Sequence, residues 1–152
     1  MRVFDGNDDI LGAVGETLGT SDWTTITQEQ VDTFADATGD HQWIHVDVDR
    51  ATRESPFGGP VAHGYLTLSL VPMFGQQIYR VANAKMGVNY GSNKVRFPSP
   101  VPVGSKVRST AVLTEATAVS ADVVQMVVTH TVEVDGVSKP ALVAESVSRV
   151  YF

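Results

Sequence analysis

Cysteine is absent from the chain. That excludes disulfide staples, thiolate nucleophiles and Cys-ligated zinc, and leaves packing to hold the fold together. Positive charge is scarce as well. Against 17 Asp and Glu stand 11 scattered Lys and Arg, for a formal net charge of −6. No run of cations exists to track a nucleic-acid backbone, although a few local ones suffice to meet the phosphates of a small anionic ligand. Long hydrophobic runs are also missing. The longest apolar segment, Val61 to Phe74, is interrupted by His63, Thr67, Ser69 and Pro72 and is too short to cross a bilayer. Asp5, Asp8 and Asp9 stand where an export signal would carry basic residues ahead of an apolar stretch, so a soluble, cytoplasmic protein is expected. There is no glycine-rich phosphate loop, no internal repeat and no low-complexity linker.

What remains is 152 residues, 43% hydrophobic and 18% charged, enough to bury a core in one domain over 1–152. The stretch through Gly19, rich in Gly and Asp, is expected to lie over the surface or lead into an edge strand. Trp23 to Ile26 has strand-like composition. Thr27 followed by Gln30 forms a capping-box signature, and Val31, Phe34 and Ala35 behind it recur at helical spacing. Gly39 is a natural terminator for that helix, which delivers Asp40 onto a tight turn; Asp47 then suits the cap of a further brief helix. Glu54 to Pro60, with two prolines and two glycines, reads as a loop. The most apolar segment, Gly64 to Arg80, is apolar on nearly every side and so must be wrapped by other structure. Pro72 inside it requires a bend or a different boundary. Four strands are expected after it, over Val88–Phe97, Ser105–Glu115, Asp122–Val134 and Leu142–Tyr151. Pro98, Pro100, Pro102 and Gly104 part the first two, and Asp135-Gly136 marks a hairpin between the last two. One buried helix ahead of an antiparallel sheet predicts an α+β architecture, with the sheet curled around the helix.

Chemistry is concentrated in Gly39-Asp40-His41-Gln42-Trp43-Ile44-His45. A carboxylate and an imidazole five residues apart across a turn are suited to hold a water between a base and an acid. By residue type alone the same pair also reads as a turn cap and a half-buried structural histidine. A second feature, Gly58-Gly59-Pro60-Val61-Ala62-His63-Gly64-Tyr65, opens the apolar helix. Its unpaired first-turn N–H groups favour negative charge, and Gly64 has no side chain to block approach. Alone, it also reads as a turn that lets the helix pack closely.

Together these features carry a resemblance. Phe34 to Asp40 and on to His45, then Ala62-His63-Gly64, then Lys94-Val95-Arg96-Phe97 with Pro98 to Gly104, resemble the MaoC-like dehydratases and (R)-specific enoyl-CoA hydratases. The likeness runs from about Thr27 to Thr110. It implies a hot-dog fold, a homodimer whose two subunits shape an acyl-CoA channel, Asp40 and His45 as the catalytic pair, and the Gly64 N–H as oxyanion donor. The implied reaction is that of a hydro-lyase in fatty acid metabolism, adding water syn across the double bond of a 2-enoyl-CoA. CoA is part of the substrate, and no metal or organic cofactor is implied. The family commonly has Asn-Pro where this chain has Gln42-Trp43, so Trp43 is expected to reshape the pocket and Phe97 to line the acyl tunnel.

Other side chains invite other chemistry. His41 and His45 lie four apart but lack a third ligand at fixed spacing for zinc. His63 is expected to bond a backbone carbonyl, and His130, in an alternating strand, to be exposed or paired. Ser69 and Thr67 show no His-Asp relay. Lys94, Arg96 and Arg108 are cations for CoA phosphates or simply solvated strand charges. Two rival functions share the fold: a thioesterase, for which Gln76 and Gln77 are the only polar pair on the helix, and a silent acyl-CoA-binding partner subunit, which should have lost Asp40 or His45.

Overall fold

The computed structural model describes residues 1–152. In chain order the elements are β1 (Arg2–Phe4), α1 (Asn7–Gly12), β2 (Thr17–Thr20), β3 (Thr24–Thr25), α2 (Gln28–Thr38), α3 (Trp43–Val46), α4 (Val48–Glu54), α5 (Gly64–Ser69), α6 (Val71–Ile78), β4 (Tyr79–Val81), β5 (Met86–Arg96), β6 (Lys106–Ser120), β7 (Val123–Val134) and β8 (Leu142–Tyr151).

The main sheet runs β2-β6-β7-β8-β5 with every pair antiparallel, and β3 also bonds to β6. All four expected C-terminal strands form. Three of them, β6 to β8, make a meander, but β5 pairs with β8 rather than with β6. The proline-rich stretch after β5 thus carries the chain from one edge of the sheet past β8 and β7 to β6, which lies inside β2 and β3. Register shifts within β5·β8 and β6·β7 mark bulges of the kind that bend strands.

Alternation sets the core face. On β7 the residues Val124, Met126, Val128, His130, Val132 and Val134 are buried. Val132 and Val134 pack with Leu66, Val71 and Phe74, so α5 and α6 lie in the concavity. Val124, Met126 and Val128 pack with Phe4, Ile10, Leu18 and Ile78. The N-terminal stretch is therefore not a surface covering, as composition suggested. Phe4 and Ile10 are wholly buried and close one end of the wrapped core; only β2 behaves as the expected edge strand. The polar residues that set its composition, Asp9 and Glu16, face outward onto Arg2.

The apolar helix breaks at Leu70 into α5 and α6. Pro72 then falls in the first turn of α6, where its missing N–H has no helical acceptor to lose. The awkward proline is a helix start. The whole, a curved antiparallel sheet around a central helix, is the hot-dog architecture.

Candidate functional site

The segment that carries Asp40 and His45 is set up by local rules. The Thr27 hydroxyl accepts from the Gln30 N–H, and the Gln30 amide oxygen accepts from the Thr27 N–H, which starts α2. Gly39 ends it at φ 79°, a left-handed conformation that a side chain disfavours. Val31 and Ala35 anchor the helix to the core. Asp40 emerges exposed, with its Oδ1 3.4 Å from the Gln42 N–H. His45 follows on α3 and is only 7% exposed. The Asp47 carboxylate caps α4 through the Arg50 N–H, as expected.

His45 Nδ1 lies 2.6 Å from the Val61 carbonyl. A carbonyl only accepts, so Nδ1 carries the hydrogen and Nε2 keeps its lone pair. Burial lowers the pKa of His45; the Val61 hydrogen bond works against this, the neighbouring His63 adds to it, and Asp40 opposes it more weakly. The ring is thereby held neutral near pH 7. His63, 2% exposed, bonds through Nε2 to the Asp40 carbonyl at 2.9 Å, the kind of backbone partner expected for it. Its ring stacks on that of His45 at 3.8 Å with planes 26° apart, and Phe34 packs against it at 5.0 Å. The Gln28 amide donates to the His45 carbonyl at 2.8 Å.

A carboxylate oxygen of Asp40 and a nitrogen each of His45 and His63 lie within 4.8 Å of one another. Three ligands in range do not make a metal site here. The two imidazoles are stacked, so their in-plane lone pairs run alongside each other instead of converging. His41 stands apart, exposed and bonded to Asp36, which raises its pKa.

Gly64 begins α5, and Phe97 lies over it. A Cβ added at Gly64 would meet the Phe97 ring at 3.1 Å. Phe97 and Tyr65 also meet edge to face at 5.9 Å. With Phe57, Ala62, Gly64, Thr67 and Val101, Phe97 lines a cavity of about 290 Å³. The strap before α5 is tied to the proline-rich loop by Ala62 N–H to Val101 O and Val103 N–H to Pro60 O. Trp43 faces the Arg50 guanidinium at 4.3 Å, which engages its ring with α4. Of the cations considered for phosphates, Arg108 is paired with Glu133 and lies over Trp23, whereas Lys94 and Arg96 are exposed on β5. His130 is buried, not exposed, and pairs with the Ser109 hydroxyl at 3.0 Å. Gln28 was not singled out from sequence, since nothing local links it to a carbonyl 17 residues on.

The model of the "MaoC like domain" family matches residues 9–135. A "3-hydroxyacyl-thioester dehydratase Z" of Mycobacterium tuberculosis is 55% identical over 149 residues, 98% of each chain. Among solved structures, a monoamine oxidase regulatory protein of Archaeoglobus superposes with a TM-score of 0.80 at 25% identity, covering 99% of this chain and 96% of the other. An (R)-hydratase of A. caviae involved in PHA biosynthesis superposes at 0.67 with 26% identity, covering 89% and 94%. By fold, by family model and by a relative alike along nearly its whole length, the chain belongs to the MaoC-like dehydratases.

Proposed function

We propose that the chain is a cytoplasmic, homodimeric hydro-lyase that adds water syn across the C2=C3 bond of a 2-enoyl-CoA, or removes it from the (R)-3-hydroxyacyl thioester, and that residues 1–152 act as one domain. The observation that carries the reading is the tautomer of His45. With Nδ1–H tied to Val61, the neutral ring keeps its lone pair on Nε2, a nitrogen of the ring lies within 4.8 Å of an Asp40 carboxylate oxygen, and the relatives point to a thioester as the substrate class.

In the hydration direction, His45 Nε2 takes a proton from a water whose other O–H is held by Asp40. The water oxygen bonds to C3, the C2=C3 π pair moves to the thioester, and the Gly64 N–H meets the enolate oxygen. The imidazolium then returns its proton to C2 on the same face, which restores the neutral ring. Burial keeps the ring neutral, and so able to take the first proton, and makes the imidazolium a readier donor in the second half-step. A donor like the Gly64 N–H is worth about 2.7–4 kcal/mol elsewhere. Phe97, over Gly64, lines the acyl path, and Trp43 shapes the adjoining wall.

The second subunit is supported by β5. It is bonded to β8 on one side only, and Met86, Val88 and Tyr90 on it are exposed. A cleft of about 800 Å³ opens between β5 and the α5–α6 helix. Such an edge invites pairing with a second copy. A thioesterase of this fold usually places its acid on or near the central helix; Gly64–Ile78 contains none, and Gln77 Oε1 accepts from the Asp22 N–H. The reading is tested by mixing the protein with crotonyl-CoA and following loss of the enoyl-thioester absorbance. Wild type should give the (R)-3-hydroxy product without free CoA; Asp40→Asn and His45→Gln should each lose about 10²–10⁴-fold in kcat. Free CoA from wild type, or full activity in either variant, would reject it.

A further inference from the structure

Two side chains outside the reacting pair hold the two ends of the segment that carries it. His63 Nε2–H donates to the carbonyl of Asp40 at 2.9 Å, and the Gln28 amide donates to the carbonyl of His45 at 2.8 Å. One comes from the strap ahead of α5 and the other from the first residue of α2. Each leaves the other polar atom of its side chain buried and unpaired, His63 Nδ1 and Gln28 Oε1. Buried acceptors without partners are unfavourable and uncommon. Both side chains here are used for their donor alone.

The segment needs such support. Residues 40–42 belong to no helix or strand and are exposed. α3 is only four residues long, and the Gln42 N–H meets the Asp40 carboxylate at a long 3.4 Å. No ladder of backbone bonds fixes the direction of Asp40 relative to His45. We infer that His63 and Gln28 are positioning residues that clamp the Asp40 and His45 carbonyls, so that the Asp40 carboxylate and His45 Nε2 meet one and the same water. This rests on the hydratase reading for its chemistry, but not for its geometry. His63 has a second part in the clamp: its ring, face to face with His45, fixes the tilt of the imidazole whose Nδ1–H points at Val61. Because His63 gives its hydrogen from Nε2 to Asp40, it holds the Asp40 backbone and the His45 ring together.

The test uses the full chain with three substitutions. His63→Phe keeps an aromatic ring for the stack and removes the donor; Gln28→Met keeps the length and removes the amide. Gln30→Ala is the control, breaking the cap of α2 while touching neither carbonyl. On crotonyl-CoA, His63→Phe and Gln28→Met should each lower kcat about 10- to 100-fold with KM within about twofold, the signature of misplacement and not of weaker binding. Gln30→Ala should lose thermal stability with kcat nearly unchanged. Nitrogen-15 NMR of the histidine rings, without substrate, should show His45 held with hydrogen on Nδ1 in wild type and averaging between tautomers in both clamp variants. Wild-type kcat in either clamp variant, or an equal loss in Gln30→Ala at equal stability, overturns the clamp. Should wild type itself fail to hydrate enoyl-CoA, the hydratase reading falls and the ring spectra decide. Averaging in the variants upholds the clamp, and an unchanged His45 tautomer removes it.

Discussion

His45 and His130 are both buried histidines with lowered pKa values, yet they sit at opposite ends of usefulness. His45 keeps a free lone pair near a carboxylate; His130, 1% exposed, lies at the floor of the cleft beside β5 and is bonded to Ser109. For His45 the consequence is catalytic. The proposed hydration uses the neutral ring, and its protonation is held below the ordinary histidine value, so the acid limb of a kcat/KM profile should fall below about pH 6.5. A limb above that value would mean that another group controls the rate. For His130 the consequence is stability. Burial drives its pKa down to about 4, so the unfolded chain takes up the proton first as pH falls. Its contribution is complete above about pH 6.5, is lost progressively as pH falls towards 4, and totals roughly 3 kcal/mol at about 1.4 kcal/mol per pH unit. Urea melts between pH 7 and 4 should show this loss, with His45 adding in the same direction, and His130→Gln should flatten the curve.

At the scale of elements, the junction between the strap and α5 holds the most closely approached of the chain's glycines. Gly64 leaves 3.1 Å for a Cβ against Phe97, and Phe97 is 41% exposed, so its ring has room to give way outward. Gly64→Ala should therefore change stability by under about 1 kcal/mol while lowering kcat/KM on enoyl-CoA markedly, because the displaced ring lies on the proposed acyl path. An unfolded variant, or one with wild-type kcat/KM, would contradict this account. The same elements show what was legible beforehand. The start and end of α2 were, since Thr27, Gln30 and Gly39 act on their own neighbours. The pairing of β5 with β8 was not, because strand order depends on a crossing that Pro98, Pro100 and Pro102 only announce as a break. The burial of Phe4 and Ile10 was hidden by the acidic residues around them, which turn outward to Arg2. The proximity of Asp40 and His45 followed from a turn, whereas the Gln28 bond joins segments that only folding brings together.

For the whole molecule, the unpaired side of β5 is the decisive feature. Eleven residues of edge, exposed along nearly their full length, make a poor outer boundary for an isolated chain. Sedimentation should give twice the 16.3 kDa chain mass, and Val88→Asp should shift it to one chain mass with reduced hydration activity. A wild type that sediments as a single chain would remove the second subunit from the proposal. The Gln42-Trp43 pair belongs to this scale too. With Trp43 over Arg50, the loop that bears Asp40 and His45 is fastened to α4 as well as to the strap.

The break at Leu70 has a consequence for the order in which the chain folds. Its pieces, of six and eight residues, are too short to persist alone, since helix nucleation is unfavourable and such lengths never recover it in water. By contrast, β6 and β7 are joined by only two residues and pair along nearly their whole length, a contact the chain reaches with little loop closure. The wrapper must therefore form before what it wraps. In the transition state for folding, substitutions along β6 and β7 should weigh heavily and those in α5 and α6 scarcely at all.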